Sequence, residues 1–245
     1  MVATDLYTHE GAQLYDRLVQ GDTSEIREIL GVIRNHRGAI LELGAGSGRV
    51  TVPIAKTAPH VTAVDNSPDM LDLLDRKLES ERLTNVTLIQ ADACTVHLDQ
   101  RFSAVIVAAS TITLFGAGDR RLLEENVLQH LDPNGIFVLT LLEVTDDETP
   151  HFNEVATPGL RVSVTIDAEK RTRTTSVENL GTPDDDQPTT WQSVSHLVSL
   201  SELVDELYEV GFAEVTVSPV MSTSTEVTAN CRLYLVVARK ESADV

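Results

Sequence analysis

The chain has 245 residues, of which 42% are hydrophobic and 23% are charged, and this composition is typical of a globular protein with a buried core. Its formal net charge of −19 would repel DNA or RNA, and it would either attract a cationic substrate or serve only solubility. With no apolar run of about 18 residues, no signal-peptide pattern and only two cysteines, we expect a reduced cytoplasmic protein without a membrane span or structural zinc.

The first 36 residues predict helices that cap the rest of the fold. In "TSEIREILGVI" the apolar residues recur at helical spacing. Thr23 or Ser24 can cap the start of this helix.

Residues 37–143 alternate between short apolar strands and helical segments. The predicted strands are "GAILELG", "VTAVD", "VTLIQAD", "FSAVIVAAS" and "NGIFVLTLLE"; the helices between them are "RVTVPIAKTA", "SPDMLDLLDRKLESE" and "RRLLEENVLQHL". Ser67 can cap the second helix, whose first residue is Pro68. This alternation predicts βαβ units and a parallel sheet, which would form the cofactor-binding core.

The pattern changes after the fifth strand. Residues 144–197 hold alternating segments typical of a small antiparallel β insertion, and residues 198–245 supply a closing helix and two strands. We therefore predict one α/β domain over residues 1–245. It would have a Rossmann-like, seven-stranded sheet with helices on both faces, an N-terminal helical cap (residues 1–36) and a β insertion that serves as a substrate lid.

A glycine-rich loop follows the first strand of the core, in "ELGAGSG". Its glycines are Gly44, Gly46 and Gly48, whereas a dinucleotide-binding motif would place the third glycine at position 49, which is Arg49. Glu42 precedes the loop, and a carboxylate there is unfavourable beside a pyrophosphate but suits a cationic group. The loop therefore disfavours a nicotinamide oxidoreductase.

Acidic residues follow three successive strands. Glu42 lies at the end of the first, Asp65 ends "VTAVD", and Asp92 lies in "ADA" after the third. In an open α/β sheet these strand ends meet at the ligand crevice, where Asp65 can accept both ribose hydroxyls and Asp92 an adenine amino group. A ligand with an adenosine end and a cationic end fits this set, and S-adenosylmethionine has both.

At these residues the chain resembles the class I S-adenosylmethionine-dependent methyltransferases. "ELGAGSG", "VTAVDNSPDML", "ADA" and "FSAVIVAAS" match four motifs of that family. The resemblance implies that Glu42 and the loop backbone hold the methionine amino group, Asp65 the ribose and Asp92 the adenine amino group. The cofactor-binding residues that it implies are Tyr15, Glu42, Gly44, Ala45, Gly46, Gly48, Asp65, Asn66, Met70, Asp92, Ala93 and Ala108.

A narrower resemblance comes from "LYDRLVQGD" near the N-terminus and from the β insertion. Both are similar to those of small-molecule N-methyltransferases such as the amino-sugar N,N-dimethyltransferases. An enzyme that dimethylates the amine terminus of a ribosomally made peptide is a related reading. In the amino-sugar group the N-terminal helix folds over the cofactor, which implies that Tyr15 approaches the methionine carboxylate; packing on the sheet is its alternative role.

The predicted reaction is methyl transfer to an amine of a small molecule or peptide by in-line displacement, without a metal, in a monomer or homodimer. The alternatives are an O- or C-methyltransferase on a small natural product and a binding module that has lost its chemistry. An oxygen acceptor needs a base. Candidate catalytic residues are Tyr15, His151 and His196; candidate substrate residues are Phe115 and Trp191, unless they are core, and Glu143, Asp146 and Asp147, unless they lie in a solvated loop.

Overall fold

The computed structural model describes residues 4–145, 159–179, 189–220 and 231–241. Helices and strands alternate along most of this part of the chain. In chain order they are β1 (Thr4–Asp5), α1 (His9–Leu18), α2 (Ile26–Ile33), β2 (Ile40–Leu43), α3 (Thr51–Ala55), β3 (Val61–Asp65), α4 (Pro68–Glu81), β4 (Val86–Gln90), β5 (Phe102–Val107), α5 (Ala117–His130), β6 (Leu131–Val144), β7 (Leu160–Asp167), β8 (Thr172–Asn179), β9 (Thr189–His196), α6 (Leu200–Val210), β10 (Phe212–Pro219) and β11 (Cys231–Lys240).

The main sheet has seven strands in the order β10-β11-β6-β5-β2-β3-β4. Strands β2 to β6 pair in parallel, while β11 lies antiparallel between β6 and β10. The order reverses direction at β2, so β3 and β5 flank it and the turns after all three strands open at one edge. A ligand crevice is expected at this switch point.

Helices cover both faces of the main sheet. On β2, Leu41 and Leu43 pack with residues of α5 and α6, whereas Ile40 packs with residues of α2 and α3. Because successive side chains of a strand point to opposite faces, a strand covered on both sides is apolar throughout, as "ILEL" is except for Glu42. The predicted fold class is thus confirmed.

A second sheet, here called the lid sheet, has the order β1-β9-β8-β7. Strands β7, β8 and β9 pair antiparallel, as the sequence predicts for the insertion. Strand β1 joins them in parallel, with Thr4 opposite Trp191, and this pairing is absent from the sequence prediction. A small core beneath the lid sheet includes Leu6, Leu14, Val177 and Trp191.

Two helix starts differ in how well the sequence predicts them. The predicted Ser67 cap of α4 is present, because Ser67 Oγ accepts a hydrogen bond from the Met70 amide. Helix α2 instead begins after Glu25, which has φ 61° and no side-chain cap, so the predicted Thr23 or Ser24 cap is wrong. The Glu25 side chain instead contacts Arg49 and the Ala109 amide.

Within the described residues, no helix has the length and apolar character of a membrane span.

Candidate functional site

A cavity of about 800 Å³ lies between the carboxyl ends of the central strands and the lid sheet. Its floor is the glycine loop and the residues after β3, β4 and β5, and its roof is β1, α1, one face of β8 and the consecutive residues 192–195 of β9. Eleven of the twelve predicted cofactor residues line it; the lining residues among them are Tyr15, Glu42, Gly44, Ala45, Gly46, Asp65, Asn66, Met70, Asp92, Ala93 and Ala108.

The three loop glycines have positive φ angles but different surroundings. A Cβ on Gly44 would lie 2.6 Å from Thr111 Cγ2, and one on Gly48 would collide with Leu74 of α4. A Cβ on Gly46 would meet no atom within 4 Å, because Gly46 faces the cavity. Gly48 does not line the cavity, so its assignment to cofactor binding is corrected: close packing of the loop on α4 requires it.

Asp65 joins the glycine loop to the end of β3. Its Oδ2 accepts a hydrogen bond of 2.8 Å from the Gly46 amide, and its Oδ1 accepts one of 2.9 Å from the Ser67 amide. Burial raises the pKa of Asp65, while these amide hydrogen bonds lower it. The carboxylate is therefore fixed in orientation at the cavity wall.

Glu42 is the most buried acid of the cavity, with 1% of its surface exposed. Burial raises its pKa to about 8. Its Oε2 atom has no hydrogen-bond partner among the described residues. A buried carboxylate oxygen without a partner is costly, and a cationic ligand group would satisfy it.

Asp92 lies after β4 in a more open position. Its side chain is exposed, and its Oδ1 accepts a hydrogen bond of 2.7 Å from the Cys94 amide. Met70 and Asn66 also line the cavity. Met70 is buried and lies on α4, and Asn66 is exposed and lies in the turn before α4.

The segment after β1 spans from the main sheet to the lid sheet. The Tyr7 carbonyl accepts a hydrogen bond of 2.6 Å from Ser67 Oγ, and the Tyr7 hydroxyl accepts one of 2.9 Å from Ser193 Oγ. The Tyr7 and Tyr15 rings meet edge to face with centroids 5.4 Å apart. Tyr7 was not among the predicted site residues, because its partner lies 186 positions away and leaves no local signal.

Helix α1 is held against the glycine loop by one carboxylate. Asp16 Oδ1 accepts hydrogen bonds of 2.6 Å from Ser47 Oγ and 2.5 Å from Lys77 Nζ of α4. Asp16 is the acid of the "LYDRL" segment whose neighbour, Tyr15, faces the cavity. These contacts keep α1 over the loop.

Arg49 makes a second connection from the glycine loop. Its guanidinium pairs with Glu25, which is 2% exposed, and it donates to the Ser24 carbonyl. Glu25 Oε1 also accepts a hydrogen bond of 2.9 Å from the Ala109 amide in the turn after β5. The loop, the start of α2 and the turn after β5 are therefore one connected unit, which the sequence did not reveal.

Of the predicted catalytic and substrate residues, Phe115 and Tyr15 line the cavity. Glu143 does not: its Oε1 accepts a hydrogen bond of 2.8 Å from the Leu200 amide at the start of α6. The predicted substrate contact of Glu143 is therefore corrected to a structural one, because an unpaired helix amide takes its carboxylate.

Trp191 and His196 are also outside the cavity lining. Trp191 is 4% exposed and lies where the lid sheet covers α1, against Gly11, so it has the core role that the sequence left open. His196 lies beside Gly116. The distance from His196 Nε2 to the position that a Cβ on Gly116 would occupy is 3.6 Å. His151, Asp146 and Asp147 lie outside the described residues.

Residues 40–135 match a family model described as a methyltransferase domain. A probable ribosomal RNA small subunit methyltransferase A of Methanosphaera stadtmanae is 44% identical over 67 residues, which are 27% of this chain and 24% of that protein. The chain spans between 24% and 47% of the length of the first curated relatives that it matches.

Solved structures align over most of the chain. The glycopeptide N-methyltransferase MtfA, in complex with S-adenosylmethionine, is 27% identical over 89% of this chain and 86% of its own, with a TM-score of 0.64. The sugar N-methyltransferase KedS8 from Streptoalloteichus is 18% identical over 94% and 92%, with a TM-score of 0.70, which shows a shared fold. Residues 40–135 thus form a methyltransferase domain, in a chain with the fold of the class I S-adenosylmethionine-dependent methyltransferases.

Proposed function

We propose that the chain binds S-adenosylmethionine in the cavity and transfers its methyl group to an amine of a small molecule or peptide. The observation that carries the proposal is the buried Glu42 carboxylate with its unpartnered Oε2, which lines the cavity together with Gly46, Asp65 and Asp92. The alignment with MtfA, a glycopeptide N-methyltransferase, supports nitrogen as the accepting atom.

The acidic end of the cavity fits the cofactor. Glu42 would accept hydrogen bonds from the methionine ammonium, which would satisfy its unpartnered oxygen. Asp65 accepts two backbone amides and has lone pairs left for the ribose hydroxyls. Asp92, with its exposed side chain, would accept from the adenine amino group.

Bound S-adenosylmethionine supplies a methyl group attached to a cationic sulfur, which is already activated for displacement. The chain's task is to hold the reactants together and exclude water. The Asp16 contacts keep α1 over the glycine loop, and the Tyr7 contacts keep the lid sheet over the cavity. Placement of this kind lowers a barrier by up to about 7–11 kcal/mol. We propose that Tyr15 faces the methionine carboxylate.

A nitrogen acceptor suits the residues around the cavity better than an oxygen acceptor does. A neutral amine attacks without a strong base, whereas a hydroxyl needs one, usually a histidine. Among the described residues no histidine lines the cavity, and His196 lies beside Gly116 instead. Amino sugars and peptide amines are the first acceptor classes to test, since KedS8 shares the fold and MtfA acts on glycopeptides.

The test is incubation of the protein with methyl-deuterated S-adenosylmethionine and a panel of amines, amino sugars and hydroxylated analogues, followed by mass spectrometry of the products. We expect labelled methyl on amines and not on the matched hydroxyl compounds. The Asp65→Ala variant serves as the control with an impaired cofactor site. Methylation of hydroxyl compounds alone would overturn the nitrogen assignment, and absence of S-adenosylhomocysteine binding would overturn the cofactor assignment.

A further inference from the structure

The lid sheet directs one arginine into the cavity. On β8 the lining residues are Arg173, Thr175 and Val177, and this alternation places their side chains on a single face of the strand. Their partners across the β8–β9 pairing include Ser195 and Ser193, which also line the cavity. Val177 is fully buried in the core beneath the lid sheet, so this face of β8 is the inner one, and Arg173 lies on it at the cavity.

The Arg173 guanidinium has no hydrogen-bond or ion-pair partner in the part of the chain that the structure describes. Only its backbone is engaged, where the carbonyl accepts a hydrogen bond from Ser195 Oγ. Arg49, the other arginine of the cavity, is paired with Glu25. A guanidinium presents five N–H donors and keeps its charge, so leaving these donors without acceptors in a half-buried position is unfavourable.

Charge is distributed unevenly across the cavity. The carboxylates of Glu42, Asp65 and Asp92 lie at the floor, whereas Arg173 lies on the roof. Asp5 is the acid of the lid sheet that lines the cavity, but it lies opposite Gln192 and so level with Ser176, three residues along β8 from Arg173. Asp5 forms no ion pair with Arg173. An anionic group would be repelled at the floor and attracted at the roof.

We propose that Arg173 binds an acidic group of the methyl acceptor, a carboxylate or a phosphate. The planar fork of a guanidinium matches two oxygens of either group, and such charge-assisted pairs are stronger than neutral hydrogen bonds. The identification of the ligand as the methyl acceptor rests on the proposed function. The binding of an oxyanion by Arg173 at the roof does not depend on it. With its acidic group bound to Arg173, the acceptor would extend toward the floor of the cavity. There its amine would receive the methyl group of the cofactor.

The direct test is an NMR titration of protein labelled with ¹⁵N-arginine and saturated with S-adenosylhomocysteine. The Arg173 Nε–Hε resonance is assigned from its loss in the Arg173→Lys variant. Phenylacetate and phenyl phosphate serve as anionic probes, and phenylacetamide serves as the neutral isostere. The Arg161 resonance is the internal control, since Arg161 lies on β7 between the buried Leu160 and Val162 and pairs with Glu178.

We expect the Arg173 resonance to shift saturably with an anionic probe and to stay unmoved with phenylacetamide, while the Arg161 resonance stays unmoved with all three. A response to phenylacetate alone identifies a carboxylate site, and a response to phenyl phosphate alone a phosphate site. No shift with either anion, or an equal shift with the amide, overturns the proposal. Calorimetry with S-adenosylhomocysteine checks that Arg173→Gln is folded and keeps its cofactor site.

A kinetic test uses matched pairs of amine acceptors that differ only by an acid in place of an amide. Arg173→Gln should raise the KM of the acidic member about 10- to 100-fold and so remove the preference for it. Arg161→Gln should leave that preference unchanged. If no amine is methylated while the Arg173 resonance still responds, the proposed function fails and the anion site remains; if amines are methylated without any acid preference, the acceptor assignment fails.

Discussion

The Gly46 amide and the Asp65 carboxylate are joined by a hydrogen bond of 2.8 Å, although 19 residues separate them in sequence. This hydrogen bond therefore fixes the glycine loop to the end of β3. Gly46 leaves open space on its cavity side, and Asp65 fixes the direction in which the loop amide points. The first two predictions address the two ends of this hydrogen bond.

We expect Gly46→Val to abolish S-adenosylhomocysteine binding in a folded protein, because the side chain would fill the space that a ligand needs. Gly46 has φ 54°, so any side chain also strains the backbone. Gly21→Val is the matched control, since Gly21 has φ 83°, open surroundings and no place in the cavity lining. Calorimetry on both variants checks this; unchanged affinity in Gly46→Val would remove the loop from the ligand site.

Asp65→Ala should weaken S-adenosylhomocysteine binding by about 1–3 kcal/mol, because it removes a charged acceptor for the ribose hydroxyls. Part of the loss comes from the freed Gly46 amide. The 2′,3′-dideoxy analogue separates the two contributions, since it lacks the hydroxyls and should lose less affinity than the natural ligand. Equal losses for both ligands would contradict contact with the ribose.

The affinity for S-adenosylhomocysteine should rise between about pH 6 and pH 8, because burial raises the pKa of Glu42 to about 8. Below that pH the carboxyl group is neutral and must lose its proton before it can pair with the ligand ammonium. Above it the proton is already lost, and the rise ends. Glu42→Gln should bind weakly with a flat profile over the same range, and calorimetry in buffers of different ionisation enthalpy would detect the released proton.

If the acceptor is an amine, the methylation rate at saturating cofactor should rise from about pH 6 towards pH 9 as the neutral amine becomes more abundant. His196→Ala should cost much less than the roughly 10²–10⁴-fold expected for loss of a general base. His151→Ala is measured alongside it. A loss beyond about a hundredfold in either variant, with cofactor affinity intact, would favour an oxygen acceptor.

Glu124 on α5 is fully buried, and neither of its carboxylate oxygens has a hydrogen-bond partner among the described residues. Burial, with a contribution from Glu206, raises its pKa to about 8. In the unfolded chain the pKa of Glu124 has the ordinary glutamate value of 4.5, so the free energy of unfolding should fall as pH rises from there to about 8.

The Glu124→Gln variant should remove this dependence. It should match the native protein near pH 5 and be more stable near pH 8 by on the order of a few kcal/mol. Glu81→Gln is the control, because Glu81 is exposed and pairs with Lys56. Urea unfolding of both proteins at both pH values gives the difference in their free energies of unfolding. If this difference were the same near pH 8 as near pH 5, a neutral buried Glu124 would be contradicted.

Residues whose role follows from local pattern were predictable from the sequence. Glu42, Asp65 and Asp92 end successive strands, and parallel strands bring their carboxyl ends to one edge, so strand prediction alone brings these acids together. The Ser67 cap is similarly local. These features depend on the residue type and on neighbours a few positions away.

Residues whose role depends on distant pairing were not predictable. Glu25, in "TSEIREIL", looks like a helix residue, yet it bonds to Ala109, 84 positions away. Glu143 and Trp191 were assigned to the substrate by residue type. Glu143 instead accepts a hydrogen bond from the Leu200 amide at the start of α6, and Trp191 packs in the core between the lid sheet and α1. Arg173 was not predicted as a site residue, because its position over the cavity depends on how the lid sheet packs against the main sheet.

The pairing of β1 with β9 and of Tyr7 with Ser193 also bears on biosynthesis. A chain is made from its N-terminus, so the central strands β2 to β6 are available for assembly once residue 144 has been added. The segment containing Tyr7 is made before the central strands but has no lid partner until β9 follows, and loop closure over such a distance is slow. On the ribosome, the residues around Tyr7 therefore wait for β9 before they can form these native contacts, and the roof over the cavity is completed late.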